Sequence, residues 1–563
     1  MVDFAGLLRG ARFVEPNAAV PKLNPASPVV DAVMNARRLI AGENSGACMV
    51  VESDARGLQA NQAPCSLLAP GVSSGVECRT DMKKTAKPVA ALKRRRVPSP
   101  LPPSEERAGV RGRATSTISA ALAATAQPEG WTPALRSESE SRAAAVISPA
   151  PKPVPNSSGI RITAIETVIP DDIMPGLLLL RIHTDAGVIG HGETYYVPHA
   201  VAAMIHDWMG RRLLGADPLS IENHWHFLYE RASAFGSRGT ELRAISAIDL
   251  ALWDILGQVC GKPVWQLLGG KARDKVRVYN SSGGPTYGRR LGAGRDQGWP
   301  GHGDVGKPGP LEDNWASNYA AGDLAEELVA EGYCAMKFWT FDRAFHEHGG
   351  NFLPWSAVKA CVKPMEEVRK RVGDKIEILL DGHGFFQLPA ALRIAEAMRD
   401  LRPLWLEDVM RVDNADTLAD FRDKARLPIA VSEMLTSRED YRLVLERRAV
   451  DYVMIDPTWV GGISETRRLA ELAQTYNIPA TMHDCTGPLT LFAGLHVATV
   501  VPNVTFQESV RAHIRTFYSS LIETNVVIEK GFALPPEGPG LGTKLKPELF
   551  DAKRESYRIT RCE

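Results

Sequence analysis

Three acidic residues at equal spacing constrain the fold of this chain more than any other feature. Asp381, Glu407 and Glu433 each end or follow a short apolar run, and both intervals between them are 26 residues long. Continuous apolar runs are typical of strands buried on both faces of a parallel sheet, and the interval fits one strand, one helix and two loops. The three carboxylates are therefore predicted to lie at the ends of neighbouring parallel strands and to converge on one point. Three unrelated strand-end acids are the alternative, which the equal spacing disfavours.

Three convergent carboxylates need a cation to hold them together. Hard oxygen ligands in this number suit Mg²⁺, with Mn²⁺ as the second choice. Asp381, Glu407 and Glu433 are therefore the predicted metal ligands.

Composition narrows the class of protein. The chain has 563 residues, 44% of them hydrophobic, and its 66 Lys and Arg residues balance its 66 Asp and Glu residues. This composition favours a soluble globular enzyme of two to four domains, and we expect neither a nucleic-acid nor a membrane partner. The eight cysteines lack C-x-x-C spacing, so they indicate neither a zinc site nor a disulfide framework. A reducing compartment follows, and we expect a cytoplasmic location.

The first part of the chain, residues 1–157, differs from the rest. It is rich in Ala, Pro, Ser and Arg and shows no sustained period of 2 or 3.6 residues. Such a segment buries too little apolar surface to offset its ordering entropy, so we predict a disordered extension without chemistry. Its basic run at residues 93–96 is a candidate nuclear-import or anion-binding patch, although a solvated charge run is the simpler reading.

Two folded regions are predicted to follow. In residues 158–275, strands at 161–168, 177–184 and 188–193 precede a helix with a three- and four-residue apolar repeat near 241–261, which indicates a small α+β domain. Residues 276–515 alternate strands with helices, as a β/α barrel does. We predict its eight strands at 276–279, 335–339, 377–381, 404–408, 429–433, 452–456, 480–484 and 504–508. Residues 516–563 form a C-terminal segment.

The later strands also end on residues that carry chemistry. Asp456 and His483 end the sixth and seventh strands, and Glu508 ends the eighth. A hydrogen bond from one ring nitrogen of His483 to Asp456 leaves the other nitrogen as a base. A chance Asp and His on neighbouring strands is the alternative, and the adjacent metal trio favours the dyad.

Two further side chains are predicted to face the same ring. His383 lies two residues after Asp381, so the two share one side if the strand continues. Lys337 lies on the second strand, either as a catalytic group or as a lysine that extends to the barrel mouth.

Two motifs connect this chain to a known family. Residues 261–270 read GKPVWQLLGG, and residues 537–543 read EGPGLGT. With the strand-end residues, they make the chain from about residue 160 onward resemble the enolase superfamily, mandelate racemase subgroup, and most closely its acid-sugar dehydratases of the galactonate dehydratase type. In that family the GKPVWQLLGG-like stretch joins an N-terminal capping domain to the barrel, and the EGPGLGT-like stretch returns the chain to the cap.

The resemblance implies a fold and a set of site residues. The fold is a modified (β/α)8 TIM barrel of the (β/α)7β type, with an α+β capping domain whose loops close the active site. It implies Mg²⁺ bound by the third-, fourth- and fifth-strand acids, a small-molecule sugar-acid substrate and a homo-oligomer. The matching positions are Asp381, Glu407 and Glu433 for the metal, the Asp456–His483 pair and Glu508.

The chain departs from the racemases of this subgroup on its second strand. Where they carry Lys-x-Lys, this chain has Lys337, Phe338 and Trp339, whereas the Asp-x-His of Asp381 and His383 is dehydratase-like. The implied reaction is loss of water from a sugar acid to give a 2-keto-3-deoxy acid. A racemase or epimerase of 2-hydroxy acids, and a non-catalytic scaffold with a vestigial metal site, are the alternatives.

The implied reaction assigns a role to each remaining site residue. His483 is the expected base, oriented by Asp456, and His383 the expected acid. Glu508 and Lys337 are expected to anchor or polarise the substrate carboxylate.

Overall fold

The structure is a computed structural model, and it describes residues 156–236, 238–285, 287 and 305–562. The predicted disordered extension, with its basic run, lies outside the described residues except at its last two positions. Within the described part, no helix is both long and apolar enough to cross a membrane.

A four-stranded antiparallel sheet forms the centre of the first folded region. Its strands β1 (Ile162–Val168), β2 (Leu177–Thr184) and β3 (Ile189–Tyr195) are adjacent in sequence. The last strand of the chain, β14 (Arg558–Arg561), pairs with the free edge of β1, so the order is β14-β1-β2-β3. The turn between β2 and β3 places Gly187 at a φ of 74°, a conformation that glycine adopts without strain.

Helices cover one face of this sheet. The longest helix crosses β3, where Gly190 and Gly192 face the backbone oxygens of Ala251 and Ala247 so closely that a Cβ would clash. Two glycines in this strand therefore permit the helix to lie directly on the sheet. The helices are α1 (Pro198–Ala203), which continues as a π-helical turn, α2 (Gly210–Leu213), α3 (Ile221–Ala232), α4 (Thr240–Cys260) and α5 (Val264–Leu267).

The second folded region is a closed barrel of eight parallel strands. Each strand pairs in parallel with the next, and the last pairs with the first at Glu508 and Tyr279. The strands are β4 (Val276–Ser281), β5 (Ala335–Phe338), β6 (Glu377–Asp381), β7 (Trp405–Glu407), β8 (Ile429–Val431), β9 (Tyr452–Ile455), β10 (Ala480–Met482) and β11 (Val504–Ser509). A hairpin of two short strands, β12 (Ile528–Glu529) and β13 (Phe532–Ala533), extends this sheet, and β13 pairs antiparallel with β4.

Helices alternate with the barrel strands along the chain. Large side chains, including Tyr279, Trp405 and Phe506, fill the barrel interior, as expected for a packed barrel. The helices are α6 (Asp313–Tyr319), α7 (Ala321–Glu331), α8 (Asp342–His348), α9 (Trp355–Val372), α10 (Leu388–Met398), α11 (Ala415–Ala425), α12 (Arg438–Glu446), α13 (Gly462–Thr475), α14 (Pro488–Val500), α15 (Arg511–Thr516) and α16 (Tyr518–Leu521).

The predicted fold class, a TIM-type barrel with an additional α+β unit, is confirmed. Each predicted barrel strand overlaps an observed strand, but the strand ends differ. Glu433, Asp456 and His483 lie just beyond β8, β9 and β10, in the loops that follow them. The site residues are therefore carried partly by strand ends and partly by the first loop residues.

Candidate active site

Lys337 lies at the centre of a cluster of carboxylates from three other strands. Its Nζ is 3.1 Å from Asp381 Oδ2, 3.0 Å from Glu407 Oε1 and 2.8 Å from Glu508 Oε1, and all four side chains are buried. Burial lowers the pKa of Lys337, but the surrounding carboxylates, with Glu407 and Glu508 foremost, outweigh it and raise the pKa well above its usual range. Lys337 is therefore a buried cation.

The three predicted metal ligands lie at one end of the barrel. Glu433 lines the same cavity as Asp381 and Lys337, and it interacts electrostatically with Glu407. As the side chains stand, no three His, Cys, Asp or Glu residues within the described ranges are arranged to hold a metal ion; Lys337 bridges Asp381 and Glu407 instead. The assignment of the three carboxylates as metal ligands stays a prediction.

The chemistry of the side chains nevertheless fits a divalent cation. Glu433 Oε2 and Asp408 Oδ1 are buried and receive no hydrogen bond from a donor group in the described part of the chain, and the two acid side chains interact with each other. Burial raises the pKa of Glu407 to about 8, and the charges of Asp381 and Glu508 add to this effect against the opposing influence of Lys337. These buried carboxylates outnumber the nearby cations, and a Mg²⁺ ion bound by their oxygens would neutralise the excess charge.

The predicted histidine–aspartate dyad is present. His483 Nδ1 is 2.6 Å from Asp456 Oδ2, and both residues are buried. The second carboxylate oxygen, Asp456 Oδ1, accepts hydrogen bonds from the Thr458 backbone N–H at 2.7 Å and from Thr458 Oγ1 at 2.8 Å. Burial lowers the pKa of His483, but Glu508, Cys485 and Asp456 together raise it well above its usual range. This arrangement fixes the imidazole with Nδ1 on Asp456 and Nε2 3.8 Å from Glu508 Oε2.

His383 reaches the same cavity by a different route from the predicted one. The strand does not continue past Asp381; the chain turns instead, and His383 adopts a left-handed φ of 48°. Its backbone N–H donates to Asp381 Oδ1 at 2.9 Å, and its Nε2 lies 3.6 Å from Asp381 Oδ2. A left-handed turn closed by the aspartate, and not strand alternation, therefore brings the two side chains together.

A second carboxylate, which the sequence did not identify, completes this side of the site. Asp342 Oδ1, at the start of α8, lies 2.9 Å from His383 Nδ1. Burial lowers the pKa of His383, but Asp342 and Asp381 outweigh it and raise the pKa to about 9. No sequence pattern distinguishes Asp342 within the segment that follows the second strand.

Aromatic side chains and a thiol form the cavity walls. Trp339 lies beside His383, with ring centroids 5.6 Å apart, and Trp459 lies beside His483 at 5.2 Å. Tyr196 and Cys485 complete the lining. Tyr196 comes from the loop after β3, so the first folded region contributes to the wall of the barrel site. No sequence pattern indicated a role for Tyr196, Trp459 or Cys485.

Comparison with known families matches both folded regions. Residues 163–269 match the mandelate racemase / muconate lactonizing enzyme N-terminal domain. Residues 320–549 match the enolase C-terminal domain-like family.

Characterised relatives and solved structures agree with these matches. The D-xylonate dehydratase of Haloferax volcanii is 32% identical over 69% of this chain and 88% of its own length. The D-galactonate dehydratase of Ralstonia pickettii is 31% identical over 67% of this chain and 90% of its own. An enolase protein from Sargasso Sea environmental sequencing superimposes with a TM-score of 0.62 at 34% identity, covering 72% of this chain and all of that one. An enolase of the mandelate racemase subgroup from Agrobacterium tumefaciens gives a TM-score of 0.61 at 33% identity, covering 71% and 99%.

A capped barrel with strand-end carboxylates and two carboxylate-bound histidines defines an enolase-type α/β enzyme. The chain belongs to the enolase superfamily, in its mandelate racemase / muconate lactonizing enzyme family. The relatives support a dehydratase, a lyase, as its class of enzyme.

Proposed function

We propose that this enzyme is a Mg²⁺-dependent dehydratase of acid sugars. It removes the proton next to the substrate carboxylate and eliminates the 3-hydroxyl, which gives a 2-keto-3-deoxy acid. The observation that carries the proposal is the pair of histidines on one cavity, each hydrogen-bonded through Nδ1 to its own carboxylate, Asp456 for His483 and Asp342 for His383. Relatives named as dehydratases of xylonate, galactonate and mannonate support it.

The two histidines divide the proton transfers between them. In its neutral form, with the ring proton on Nδ1, His483 takes the proton from carbon 2 at Nε2, while Asp456 holds Nδ1 and stabilises the imidazolium that results. Because the groups around it raise the pKa of His483, the share of this neutral form grows as the pH rises. His383, which Asp342 and Asp381 keep protonated with a pKa of about 9, gives a proton to the 3-hydroxyl. The carbon–oxygen bond breaks, water leaves, and the resulting enol becomes the ketone by taking a proton at carbon 3.

Lys337 and Glu508 organise the carboxylate end of the substrate. Lys337 is a buried cation among acids, so its positive charge attracts an anionic substrate group, while Glu508 contacts the ammonium and holds it in place. The three strand-end acids, Asp381, Glu407 and Glu433, are the residues that would hold Mg²⁺. When bound, this ion would neutralise the charge that develops on the substrate carboxylate as the proton leaves.

A substrate panel tests the proposal directly. Purified protein with Mg²⁺ is incubated with acid sugars, and 2-keto-3-deoxy products are detected as semicarbazones. We expect one or more substrates to react, EDTA to stop the reaction and Mg²⁺ to restore it. His383→Asn and His483→Asn should each lower kcat by about 10²–10⁴-fold, the usual contribution of a positioned acid or base. The matched control is His348→Asn, a partly exposed histidine of α8, which should retain activity.

Other outcomes identify the alternatives. Exchange of the carbon-2 proton with solvent deuterium, without loss of water, would identify a racemase or epimerase. If the protein catalyses neither exchange nor dehydration, and calorimetry detects no Mg²⁺ binding, the protein is a non-catalytic scaffold.

A further inference from the structure

A buried carboxyl group of β3 contacts the barrel next to the catalytic dyad. Glu193 is fully buried, and its Oε1 lies 2.6 Å from the backbone nitrogen of Thr490 and 2.8 Å from Thr490 Oγ1. Thr490 is in the first turn of α14, which begins five residues after His483. Glu193, which lies outside the barrel, therefore fixes the start of the helix that follows His483.

The contacts continue from Thr490 to the dyad itself. Thr490 Oγ1 is 3.1 Å from Thr458 Oγ1. Thr458 donates from its backbone N–H and its hydroxyl to Asp456 Oδ1, and Asp456 Oδ2 contacts His483 Nδ1. An unbroken series of hydrogen-bond distances thus joins a carboxyl group of β3 to the imidazole of His483.

The hydroxyl donors available in this series indicate whether Glu193 is ionised or neutral. If Glu193 is ionised, the hydroxyl proton of Thr490 is used on Glu193 and that of Thr458 on Asp456. The two hydroxyl oxygens then face each other at 3.1 Å without a proton between them. If Glu193 is a neutral acid, it donates to Thr490 Oγ1, and Thr490 donates to Thr458. Each contact is then a hydrogen bond, and all of them point towards Asp456.

The surroundings of Glu193 agree with the neutral form. Burial raises the pKa of Glu193 to about 7, and the charge of Asp456 adds to this effect against the Thr490 and Leu489 donors. Asp484 and Tyr518 also interact with Glu193, and neither is a cation. The nearby cation Arg243 donates to Tyr195 O and interacts with Asp456. Glu193 Oε2 is buried without a hydrogen-bond partner in the described part of the chain, which a neutral carbonyl oxygen tolerates better than a carboxylate oxygen.

We propose that Glu193 is a positioning residue of the dehydration reaction, and that as a neutral acid it begins a hydrogen-bond chain through Thr490 and Thr458 that orients Asp456 and thereby His483. The inference rests on the proposed function in taking His483 as the base. Ionisation of Glu193 breaks the hydrogen bond between the two threonines and adds a second buried negative charge near Asp456. The turnover rate therefore falls as Glu193 loses its proton.

Substitutions at Glu193 separate donation from bulk. In the neutral acid, Oε1 both accepts the Thr490 backbone N–H and donates to Thr490 Oγ1. In Glu193→Gln, a small rotation of the terminal group lets the carbonyl accept the backbone N–H and the amide N–H donate to Oγ1. We expect this variant to keep kcat within about twofold below pH 7 and to lose the alkaline decline of the wild-type rate. In Glu193→Leu, which cannot donate, kcat should fall about 10- to 100-fold, with little change in KM because Glu193 does not line the substrate cavity.

Threonine variants test the middle of the chain. Thr490→Val and Thr458→Val should each lower kcat as Glu193→Leu does. The matched control is Thr499→Val on the same helix, where the hydroxyl donates to Leu495 O at 2.6 Å and takes no part in the chain; it should keep the wild-type kcat. Equal kcat in Thr490→Val and Thr499→Val would overturn the proposal.

An infrared measurement checks the charge of Glu193 without any assay of activity. The wild-type minus Glu193→Gln difference spectrum should contain the carbonyl band of a protonated carboxylic acid below pH 7, and this band should fade at higher pH. A carboxylate band below pH 7 would overturn the proposal. If no acid sugar reacts but the acid band is present, the proposed function is refuted while the neutral chain from Glu193 stands.

Discussion

Each ring nitrogen of His383 faces a carboxylate, and this arrangement sets the charge of the residue. Nδ1 contacts Asp342 at 2.9 Å, and Nε2 lies 3.6 Å from Asp381. A histidine between two acids keeps its proton despite burial. Its left-handed backbone, stabilised by the N–H bond to Asp381 Oδ1, aims the ring. Asp342 therefore supplies both charge and orientation to the proposed acid.

Asp342→Asn tests this dependence. The amide keeps the shape of the side chain but removes the charge that holds the proton on His383. We expect kcat to fall about 10- to 100-fold, less than the ~10²–10⁴-fold loss expected without the histidine, with dehydration rates as the measurement. Glu347→Gln, an exposed acid on the same helix, is the control, and an equal effect of the two substitutions would contradict the role of Asp342.

The positive charge of Lys337 balances the negative charge of carboxylates that Mg²⁺ is expected to neutralise when it binds. Because the ammonium contacts Asp381, Glu407 and Glu508, its removal leaves buried acids without a partner. Lys337→Met should lower the free energy of unfolding of the metal-free protein by about 3–5 kcal/mol. Mg²⁺ should then raise the melting temperature of the variant more than that of the wild type.

Thermal melts with EDTA and with Mg²⁺ measure both effects. Lys424→Met, which removes an exposed lysine paired with Asp420, is the control and should melt like the wild type. A Lys337→Met variant that Mg²⁺ does not stabilise would contradict the assignment of this cluster as the metal site.

At the scale of elements, one buried glutamate joins three segments of the first folded region, the one that contains the antiparallel sheet. Glu166 on β1 contacts Arg181 and His183 on β2 at 2.7 and 2.6 Å, and it accepts a hydrogen bond from Tyr557, just before β14, at 2.6 Å. Burial raises the pKa of Glu166, but these partners outweigh it and lower the pKa to about 2. The folded state therefore releases this proton more readily than the unfolded state does.

The sign of this shift predicts how stability depends on pH. A carboxyl group with a lowered folded-state pKa stabilises the protein above its unfolded pKa of about 4.5, and the contribution is lost as pH falls towards 2. Glu166→Gln should reduce the free energy of unfolding by about 1–2 kcal/mol at pH 7, allowing for solvent screening. The difference from wild type should shrink below pH 4.5 in urea titrations.

The control for this prediction is an acidic residue two positions before Tyr557. Glu555→Gln replaces an exposed acid, and its stability should follow that of the wild type at every pH. A difference between Glu166→Gln and wild type that is the same at pH 7 and pH 3 would contradict the pKa argument.

The elements were predictable where local pattern determines structure, and the site was predictable only in part. Apolar runs that end on acids located β6 and β7, and Asp456 and His483 were paired correctly, because parallel strands align their carboxyl ends. The turn at His383 was not predictable, because a left-handed residue depends on a specific hydrogen bond. Glu193 was missed because its partner Thr490 lies 297 residues away, and one sequence carries no signal for such contacts.

At the scale of the whole molecule, the first folded region contacts the barrel on the side of the His483–Asp456 dyad. Trp225 Nε1 donates to Gly461 O at 2.7 Å, and Asp249 Oδ1 accepts from Ser464 Oγ at 2.6 Å, both just after β9. Thr194 Oγ1 donates to Thr458 O at 2.9 Å. These contacts and that of Glu193 support the loops after β9 and β10, so the geometry of the proposed base depends on both folded regions.

The final prediction concerns how much of the chain the activity needs. The matches to relatives involve 67–72% of this chain but 88–100% of theirs, and the family matches begin at residue 163. The described contacts begin slightly earlier, since the Ser157 and Ser158 backbone N–H groups each donate to Asp217 Oδ2 at 3.0 Å. A chain that begins at Asn156 therefore keeps every element that builds the site.

We expect this shortened protein to retain kcat/KM for the acid-sugar substrate within about twofold, because it keeps all the described residues of the barrel and the sheet. Dehydration assays on the full and shortened proteins measure this. A further cut that begins at Gly159 removes both serine contacts to Asp217 and should lower the melting temperature while leaving KM unchanged. Loss of activity on removal of residues 1–155 would show that the extension takes part in function, contrary to its assignment as a segment without chemistry.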